Sequence, residues 1–214
     1  MRLTSPGDRE AGVTLIEVLI VIVIMGVIIV PLTGAVIVFL RNTDQTVDRM
    51  AESHDAQIAA AYFAQDVQSI GVRDWTAPPY PVTQSIETGI APAAGLYPCG
   101  TGTTPALVRF GWDDPAVGGP SVLRVSYVVQ DVAGEHQLHR VACDAAGAVI
   151  SELALVHYVD TTTAPVVTCT DTLGSAVACT TATLPATVKL TLSIRAPSNT
   201  SPYTVTLIGQ RRQT

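Results

Sequence analysis

Apolar residues dominate the first part of the chain in a long run that only one charged residue interrupts. The run extends from Val13 to Leu40, and Glu17 is its single charged residue. A helix rises about 1.5 Å per residue, so this run as a helix is long enough to cross a hydrocarbon core of about 30 Å. It is too long for the apolar core of an ordinary secretory signal, and no A-x-A cleavage site follows it. We therefore predict a membrane-spanning helix over residues 13–40 that remains in the mature protein.

A helical period continues after the apolar run, with polar residues between the recurring positions. The recurring positions are Val47, Met50, His54, Ile58, Ala61, Tyr62, Val67 and Ile70. Steps of three or four residues are typical of an amphipathic helix. We predict that the helix continues over residues 41–71, packs this stripe on a sheet with His54 as a packing residue, and stops at Gly71. Proline lacks a backbone N–H, so we predict that the helix is weakened between Pro31 and Gly34.

Beyond the helix the pattern changes twice. Residues 72–106 are dense in Pro, Gly and Thr and lack a clear period, which predicts a long irregular connection. The segments that are then predicted as strands are 107–112, 122–130, 136–143, 148–160, 187–195 and 203–210, and two of them, 122–130 and 187–195, alternate their side chains between two faces. Turn residues between them favour antiparallel pairing. The expected fold class is α+β, with a long hydrophobic N-terminal helix packed on an antiparallel β-sheet domain over residues 107–214.

The composition restricts the kinds of partner. Of the 214 residues, 48% are hydrophobic and 14% are charged, and the net charge is -6. Nucleic acid binding needs a basic surface, and the pair Arg211-Arg212 near the C-terminus is too short to supply one. We therefore expect the membrane as a partner and no nucleic acid.

Four cysteines lie beyond the apolar run, and none forms a C-x-x-C pair. An even number of cysteines in an exported domain favours disulfides over a metal site. Three connectivities are possible. We favour Cys169–Cys179, which closes a short loop, together with Cys99–Cys143. The alternative is four free thiols in a reducing compartment.

The charges that flank the apolar run do not fix its orientation. Arg2 and Arg9 precede it, and Arg41 and Arg49 follow it, so the positive-inside rule is balanced. The cysteines and the Thr-rich C-terminal part favour an oxidising environment for that part of the chain. We therefore expect a single-pass protein of the cytoplasmic (inner) membrane, with the N-terminus inside and the C-terminal domain outside.

Candidate catalytic groups are sparse. No G-x-S-x-G, H-E-x-x-H or P-loop pattern occurs, and His136 and His139, three residues apart on a strand, face opposite sides. Asp113 and Asp114 could bind calcium with backbone carbonyl groups, although adjacent acids in a Pro/Gly-rich loop also form ordinary turns. We therefore expect no enzymatic activity, no cofactor and no metal, with calcium at this acidic pair as the one alternative.

A carboxylate within a membrane span is costly, which raises the question of its partner. The segment G-V-T-L-I-E-V over residues 12–18 resembles the signature of type IV prepilins and pseudopilins. In that family a peptidase cuts after a glycine on the cytosolic side, the new N-terminus is methylated, and glutamate is the fifth residue of the mature chain. The resemblance implies a leader over residues 1–12, cleavage between Gly12 and Val13, methylation of Val13, and Glu17 as the fifth mature residue.

The resemblance also implies a role for Glu17. Cleavage creates a positive amine at Val13, and in the family this amine pairs with the fifth-residue glutamate of a neighbouring subunit. Gly26 falls where the family often has glycine, whereas Val13 replaces the more frequent phenylalanine and Pro31 lies three residues before the usual proline site. The pairing of amine and glutamate in the family implies an assembly salt bridge at Glu17.

The family resemblance further implies a lollipop architecture and a structural role. Two patterns are similar to minor pseudopilins of the J and PilW type. One is a hairpin pattern of the form Y…L-x-R within residues 125–143, and the other is D-V-Q-S-I-G over residues 66–71. The implied function is a minor pilin or pseudopilin of a type IV pilus or a type II secretion-like filament. Its implied partners are the prepilin peptidase and other pilin or pseudopilin subunits.

The same sequence supports an alternative of a different class. A single-pass membrane protein with an extracellular β-rich binding module, such as an adhesin, would also have one apolar run followed by strands. This alternative predicts an intact N-terminus and indifference to a Glu17→Val substitution, whereas the pilin interpretation predicts removal of residues 1–12. A membrane-anchored enzyme would need a catalytic cluster that the sequence does not show.

Overall fold

The computed structural model describes most of the chain, namely residues 14–114, 116, 120–180, 184–197 and 201–212. The chain divides into two compact units, Met1–Thr46 and Val47–Thr214, and each is described by itself. Within the described residues, one long helix is followed by antiparallel strands. The α+β class predicted from the sequence is therefore confirmed.

Helix α1, Leu15–Ser69, begins in the first unit with an apolar surface. Its large apolar side chains between Leu15 and Leu40 are exposed, and the helix is long and apolar enough to cross a membrane by length and composition. A helix satisfies its own backbone hydrogen bonds, which is what a lipid environment requires of a spanning segment. The prediction of a long apolar N-terminal helix is confirmed.

Pro31 lies inside helix α1, and the helix is continuous through it. Proline has no backbone N–H, so the carbonyl of Val27, four residues earlier, receives no hydrogen bond from that position. The hydroxyl of Thr33 donates to the carbonyl of Ile29 at 2.9 Å within the same stretch. The weakening predicted between Pro31 and Gly34 thus does not interrupt the helix.

In the second unit, helix α1 buries a face that its apolar period did not predict. The buried residues are Glu52, Ala59, Phe63, Asp66 and Val67. Val47 and Met50, by contrast, are 58% and 69% exposed, and His54 is exposed as well. The predicted stripe is therefore wrong over most of its length, and only Val67 and Ile70 of it are buried. The physical reason is that the buried acids find hydrogen-bond partners on the sheets, so their burial costs less than their charge alone suggests.

Nine of the eleven strands in the described residues belong to two antiparallel sheets. Before them, β1 (Val72–Arg73) and β2 (Val82–Thr83) form a small ladder of their own. The larger sheet has five strands in chain order: β3 (Ile86–Ile90), β4 (Ala106–Asp113), β5 (Val122–Val132), β6 (Glu135–Cys143) and β7 (Val149–Val156). The segment predicted as one strand over 148–160 therefore ends earlier, at Val156.

The smaller sheet contains the last four strands, in the order β11-β10-β8-β9. They are β8 (Val166–Thr170), β9 (Ala176–Val177), β10 (Thr187–Ile194) and β11 (Tyr203–Gln210). In β10 the alternation predicted from the sequence is visible, because Val188, Leu190 and Leu192 are buried at every second position. This sheet turns that apolar face toward the core.

Side chains from helix α1 and both sheets meet in one hydrophobic core within the second unit. The ring of Phe63 contacts the rings of Phe110 and Tyr127 edge to face, with centroid distances of 5.6 and 5.2 Å. Such aromatic pairs contribute about 0.5–1.5 kcal/mol each beyond the area they bury. Leu190 and Leu207 bring the smaller sheet to the same core, and both are fully buried.

Residues 72–106, predicted as one irregular connection, are more ordered than expected. They contain β1, β2 and β3, and β3 is an edge strand of the larger sheet. Residues 91–105, here called the cover segment, contact the larger sheet through hydrogen bonds to Arg109 and the disulfide to Cys143. Arg109 lies on the face of that sheet opposite Phe110, which packs against helix α1. The boundary predicted for the β-rich domain at residue 107 is therefore wrong, because strands already begin at Val72. Glu87 and Arg109 are charged but buried, and they interrupt the apolar pattern from which the first strands could have been predicted.

Candidate functional site

Helix α1 begins beside the residues that the sequence analysis assigned to processing. The carbonyl of Thr14 accepts hydrogen bonds from the backbone N–H groups of Glu17 (3.0 Å) and Val18 (3.3 Å), which close the first turn. Thr14 and Glu17 have the T-x-x-E spacing of a capping box. The carboxylate of Glu17 also lies in the first helical turn, where the positive end of the helix dipole stabilises a negative charge. The local structure thus favours an acid at this position.

Glu17 is exposed, and no other charged residue occurs between Leu15 and Leu40. Among the residues that the structure describes, no ion pair includes its carboxylate. A carboxylate near the end of a membrane span costs less than one at the centre, yet it still gains from a cation. The arrangement can therefore accept a positive group from elsewhere. Gly12 and Val13, the predicted cleavage and methylation residues, lie outside the described residues.

Asp66 joins helix α1 to the larger sheet through two side chains. Arg140 donates from Nε and Nη2 to the two carboxylate oxygens of Asp66, each at 2.7 Å. Tyr127 Oη donates to Oδ2 of the same carboxylate at 2.6 Å. Tyr127 and Arg140 lie opposite each other on β5 and β6. A bidentate guanidinium–carboxylate pair constrains direction as well as distance, so this contact fixes the helix against one hairpin.

The protonation of this cluster follows from burial and charge. Burial raises the pKa of Tyr127, and the neighbouring charge of Asp66 raises it further, so the phenol remains a hydrogen-bond donor. The hydrogen bond to Asp66 raises the pKa of Arg140, although burial opposes this. The same guanidinium lies over the ring of Tyr62, 5.2 Å from its centroid.

Two further acids of helix α1 contact the ends of strands. Asp55 Oδ2 accepts hydrogen bonds from Nδ1 (2.8 Å) and the backbone N–H (3.2 Å) of His157, which follows β7. Glu52 Oε1 accepts one from the backbone N–H of Ala196, beyond the end of β10, at 3.0 Å. The sequence analysis missed these acids. The available signal was that Glu52, Asp55, Ala59 and Phe63 follow one another at helical steps.

A glycine allows helix α1 to approach the smaller sheet closely. Gly209 on β11 pairs with Val188 on β10. A Cβ atom at position 209 would overlap the side chain of Val67, with its Cγ2 atom at 2.6 Å. Glycine in a strand often marks such an approach. The backbone of β11 therefore provides the surface on which Val67 packs.

Two disulfides occur, and they join the pairs that the sequence analysis favoured. Cys99 in the cover segment is bonded to Cys143 at the end of β6, with an S–S distance of 2.09 Å. Cys169 in β8 is bonded to Cys179, with an S–S distance of 2.12 Å. The first bond connects segments 44 residues apart, and the second closes a loop of 10. The first disulfide thus fastens the cover segment to the larger sheet.

Asp113 and Asp114, the calcium candidates, have hydrogen-bond partners within the protein. The carboxylate of Asp113 accepts from the backbone N–H of Arg73 (3.2 Å) and from Nε1 of Trp75 (3.3 Å). Asp114 Oδ1 accepts from the backbone N–H of Ala116 at 2.9 Å. In the described part of the chain, no group of three or more His, Cys, Asp or Glu side chains is placed to hold a metal ion. The contact of Asp114 is that of a turn, whereas Asp113 binds two residues that lie 38 and 40 positions from it in the chain.

The two histidines of β6 have separate environments. Nδ1 of His136 lies 3.8 Å from Asp131 Oδ2, and Nδ1 of His139 lies 2.9 Å from Glu152 Oε1. Residues three apart on a strand face opposite sides, as the sequence analysis expected. The structure does not bring these two rings together.

Comparison with known families concerns the N-terminal segment. Residues 7–33 match the family model described as the prokaryotic N-terminal methylation motif. No curated protein matches the chain. The matched segment contains Gly12, Val13 and Glu17, and it extends into the apolar half of helix α1. The chain thus carries the prokaryotic N-terminal methylation motif, which supports its assignment to the type IV prepilin and pseudopilin family as a pilin-like subunit.

Proposed function

We propose that this chain is a minor pilin or pseudopilin that a prepilin peptidase cuts between Gly12 and Val13. The leader, residues 1–12, is removed on the cytoplasmic side, and the amine of Val13 is methylated. The observation that carries the proposal is the methylation-motif match over residues 7–33. The chain is in this view a substrate of the peptidase and then a structural subunit, and it is not itself an enzyme.

The proposed role of Glu17 is to neutralise the new amine of a neighbouring subunit. Among packed apolar helices that amine would be a lone positive charge, and burying a lone charge costs far more than burying a pair. The exposed carboxylate, which has no ion-pair partner among the described residues, supports this role. The pair selects the register between neighbouring helices more than it adds stability.

The proposed location is the inner membrane before assembly and the filament afterwards. Helix α1 is long and apolar enough to span, and both disulfides lie in the unit Val47–Thr214. Disulfides persist in oxidising compartments, which supports an extracytoplasmic position for that unit and a cytoplasmic N-terminus. The exposed apolar side chains from Val18 to Val30 would then pack on neighbouring helices once the subunit leaves the lipid.

A contact in the second unit supports the J- or PilW-like subtype. The sequence resemblance to that group involves two separate patterns, D-V-Q-S-I-G at the end of helix α1 and Y…L-x-R on a hairpin. Asp66 begins the first pattern, and Tyr127 and Arg140 are the terminal residues of the second. All three side chains meet in one hydrogen-bonded cluster. A shared docking contact between helix and hairpin therefore gives the two patterns a common physical reason.

The assembly role is tested with Glu17→Ala, expressed in cells that contain the other filament components. We expect the variant to insert in the membrane and to be processed, but to be absent from purified filaments. Asp44→Ala, which removes an exposed acid further along the same helix, serves as the matched control and should be incorporated normally. Incorporation of the Glu17 variant at the wild-type level would contradict the salt-bridge mechanism.

A further inference from the structure

The loop between β1 and β2 carries two large aromatic side chains outside the hydrophobic core. Trp75 and Tyr80 are 39% and 40% exposed, and their ring centroids lie 5.5 Å apart with the ring planes tilted by 37°. The whole stretch of residues 75–81 is exposed. Large aromatic side chains in such a position are typical of residues that bind a partner molecule. Packing in the core does not explain this pair.

The backbone at Tyr80 has a conformation that is unfavourable for tyrosine. Its φ angle is 62°, in the left-handed region that favours glycine. Glycine would adopt this conformation without steric cost, so the aromatic ring is present at the expense of stability. Backbone strain of this kind occurs mainly at functional sites. The strain and the exposure together indicate that the ring of Tyr80 has a use outside the fold.

Hydrogen bonds hold the loop and both rings in place. The β1–β2 ladder closes the loop, and within it the backbone N–H of Tyr80 donates to the carbonyl of Ala77 at 2.8 Å. Nε1 of Trp75 donates to Asp113 Oδ1 at 3.3 Å, which fixes the indole against β4. A site that is ordered before binding loses little further entropy when a ligand arrives. The two rings are therefore preformed for binding.

An arginine and an acid converge on the two rings. Asp113 Oδ2 accepts the backbone N–H of Arg73 at 3.2 Å, and Nη1 of Arg73 donates to the carbonyl of Tyr80 at 3.4 Å. With the contacts of Trp75 to Asp113 and to Tyr80, these bonds connect all four residues in a closed circuit, here called the aromatic platform. Within the described residues, neither Arg73 nor Asp113 belongs to an ion pair. Guanidinium N–H groups and carboxylate lone pairs are thus available beside the rings.

We propose that the aromatic platform binds a neutral hexose unit of an oligosaccharide. The face of an aromatic ring is negative and attracts C–H groups, and a hexose ring presents a face of C–H groups. Its hydroxyl groups donate to the carboxylate of Asp113 and accept from the guanidinium of Arg73. One positive and one negative side chain leave the platform without net charge, so it does not select an ion. This binding goes beyond the proposed function, because neither processing nor filament assembly uses these residues.

A proline-rich peptide and a lipid surface fit the platform less well. Proline rings also stack on tryptophan and tyrosine, but such grooves orient the peptide through polar groups such as the indole N–H. In this chain that N–H already donates to Asp113. Exposed Trp and Tyr also occur at membrane interfaces, yet Asp113 and the adjacent Asp114 would be repelled by anionic lipids. A neutral sugar meets neither obstacle.

The proposal is tested on the full chain in a zwitterionic detergent, because maltoside detergents carry sugar headgroups that would compete. An array of neutral oligosaccharides, uronic acid oligosaccharides and decaproline is screened first. We expect neutral oligosaccharides to bind, and the strongest of them to shift the indole N–H NMR signal of Trp75 saturably. The signal of Trp112, which is half-buried against the core, should change little. Binding of no neutral oligosaccharide, an unaffected Trp75 signal, or tighter binding of decaproline or of uronic acids would overturn the proposal.

Variants separate binding from folding. Tyr80→Gly should weaken binding of the oligosaccharide about tenfold without lowering the unfolding midpoint, because glycine accepts the positive φ angle. Trp75→Ala should weaken it similarly. Tyr158→Gly is the matched control, since Tyr158 also has a positive φ angle of 55° and is 39% exposed, but it follows β7. Its affinity should stay within about twofold of the wild type. Wild-type affinity in folded Tyr80→Gly, or equal losses in both glycine variants, would contradict the proposal.

Discussion

Among single residues, Asp66 determines how the helix meets the larger sheet. Its side chain is only 3% exposed, although an acid on an amphipathic helix is ordinarily predicted to face solvent. Its partner Arg140 lies 74 residues further along the chain, so no local pattern pairs the two. A weak signal existed, because Asp66 follows Ala59 and Phe63 at helical steps. Small and aromatic residues in that series favour burial, and the acid among them therefore needed a partner.

We predict that Asp66→Asn lowers the free energy of unfolding by about 3 kcal/mol, because Arg140 would keep a partly buried charge without its partner. Urea unfolding of the full chain in detergent measures the loss. Asp44→Asn, which changes an exposed acid of the same helix, should alter stability by less than about 0.5 kcal/mol. Equal effects of the two substitutions would show that the buried pair is not a stabilising contact.

A second prediction concerns alkaline pH. Burial, and then the charge of Asp66, raise the pKa of Tyr127 above its ordinary value of 10.0. Below that value tyrosine is protonated in both the folded and the unfolded chain, so the contribution to stability is complete. Above it the unfolded chain releases the proton and the folded chain does not, so stability falls as the pH rises.

Tyr127→Phe removes this titration and keeps the ring. The variant should therefore be less stable than the wild type at neutral pH, since it lacks the hydrogen bond to Asp66, and the difference should narrow above about pH 10. Unfolding midpoints measured between pH 8 and pH 11 test this. A stability difference that stays constant over that range would contradict the assigned protonation.

At the scale of elements, the first half of helix α1 was predictable and its second half was only partly so. The apolar run is contiguous, and its length alone predicts a helix over residues 13–40, which helix α1 follows from Leu15 onward. The face that docks on the sheets depends instead on partners elsewhere in the chain, such as His157 for Asp55. The period of apolar residues alone therefore predicted that Val47 and Met50 are buried, whereas both are exposed.

The packing of helix α1 on β11 gives a third prediction. Gly209→Ala should destabilise the chain by about 1–3 kcal/mol, because the new methyl group would overlap the side chain of Val67. Val67→Gly should relieve that overlap, because it removes the Cβ atom of Val67, which is the atom nearest to the new methyl group, together with both Cγ atoms. In a double-mutant cycle of unfolding free energies, the two substitutions together should cost less than the sum of each alone. A strictly additive result would rule out the proposed close contact.

The strands after residue 107 were predicted from their β-forming residues and, in two segments, from alternation, whereas β3 and the cover segment were not predicted. Their stability comes from long-range partners. Glu87 on β3 and Arg109 on β4 form a buried ion pair, with 3.2 Å between Oε2 and Nη1, and the guanidinium binds carbonyl groups of the cover segment. The cover segment is rich in Pro and Gly, and its order depends on an arginine from another strand. Its own sequence therefore has no period from which its structure could be predicted.

The disulfides give a fourth prediction. Removing Cys99–Cys143 by alanine substitution should cost about 4 kcal/mol, and removing Cys169–Cys179 about 3 kcal/mol, because the first closes a loop of 44 residues and the second a loop of 10. Urea unfolding of the two double variants compares these losses. Limited proteolysis should also cut the cover segment faster in the first variant alone. A larger loss for the shorter loop would contradict this account.

At the scale of the whole molecule, the functional assignment depends on a short contiguous motif, while the structure of the second unit depends on contacts between distant residues. The motif over residues 7–33 was recognisable in the sequence because its glycine, its glutamate and the following apolar run are neighbours. The cluster of Asp66, Tyr127 and Arg140 became visible only in the structure. The motif supports the proposed processing of the N-terminal segment, and the cluster fixes the larger sheet to the part of helix α1 that lies within the second unit.

The most direct test of this account is the intact mass of the full-length gene product recovered from cells with and without their prepilin peptidase. We predict that the product from peptidase-containing cells lacks residues 1–12 and carries one methyl group on the amine of Val13, and that the product from peptidase-deficient cells retains both the leader and an unmodified Val13. Retention of residues 1–12 in both strains would contradict processing between Gly12 and Val13. It would instead favour a single-pass membrane protein with a β-rich binding module.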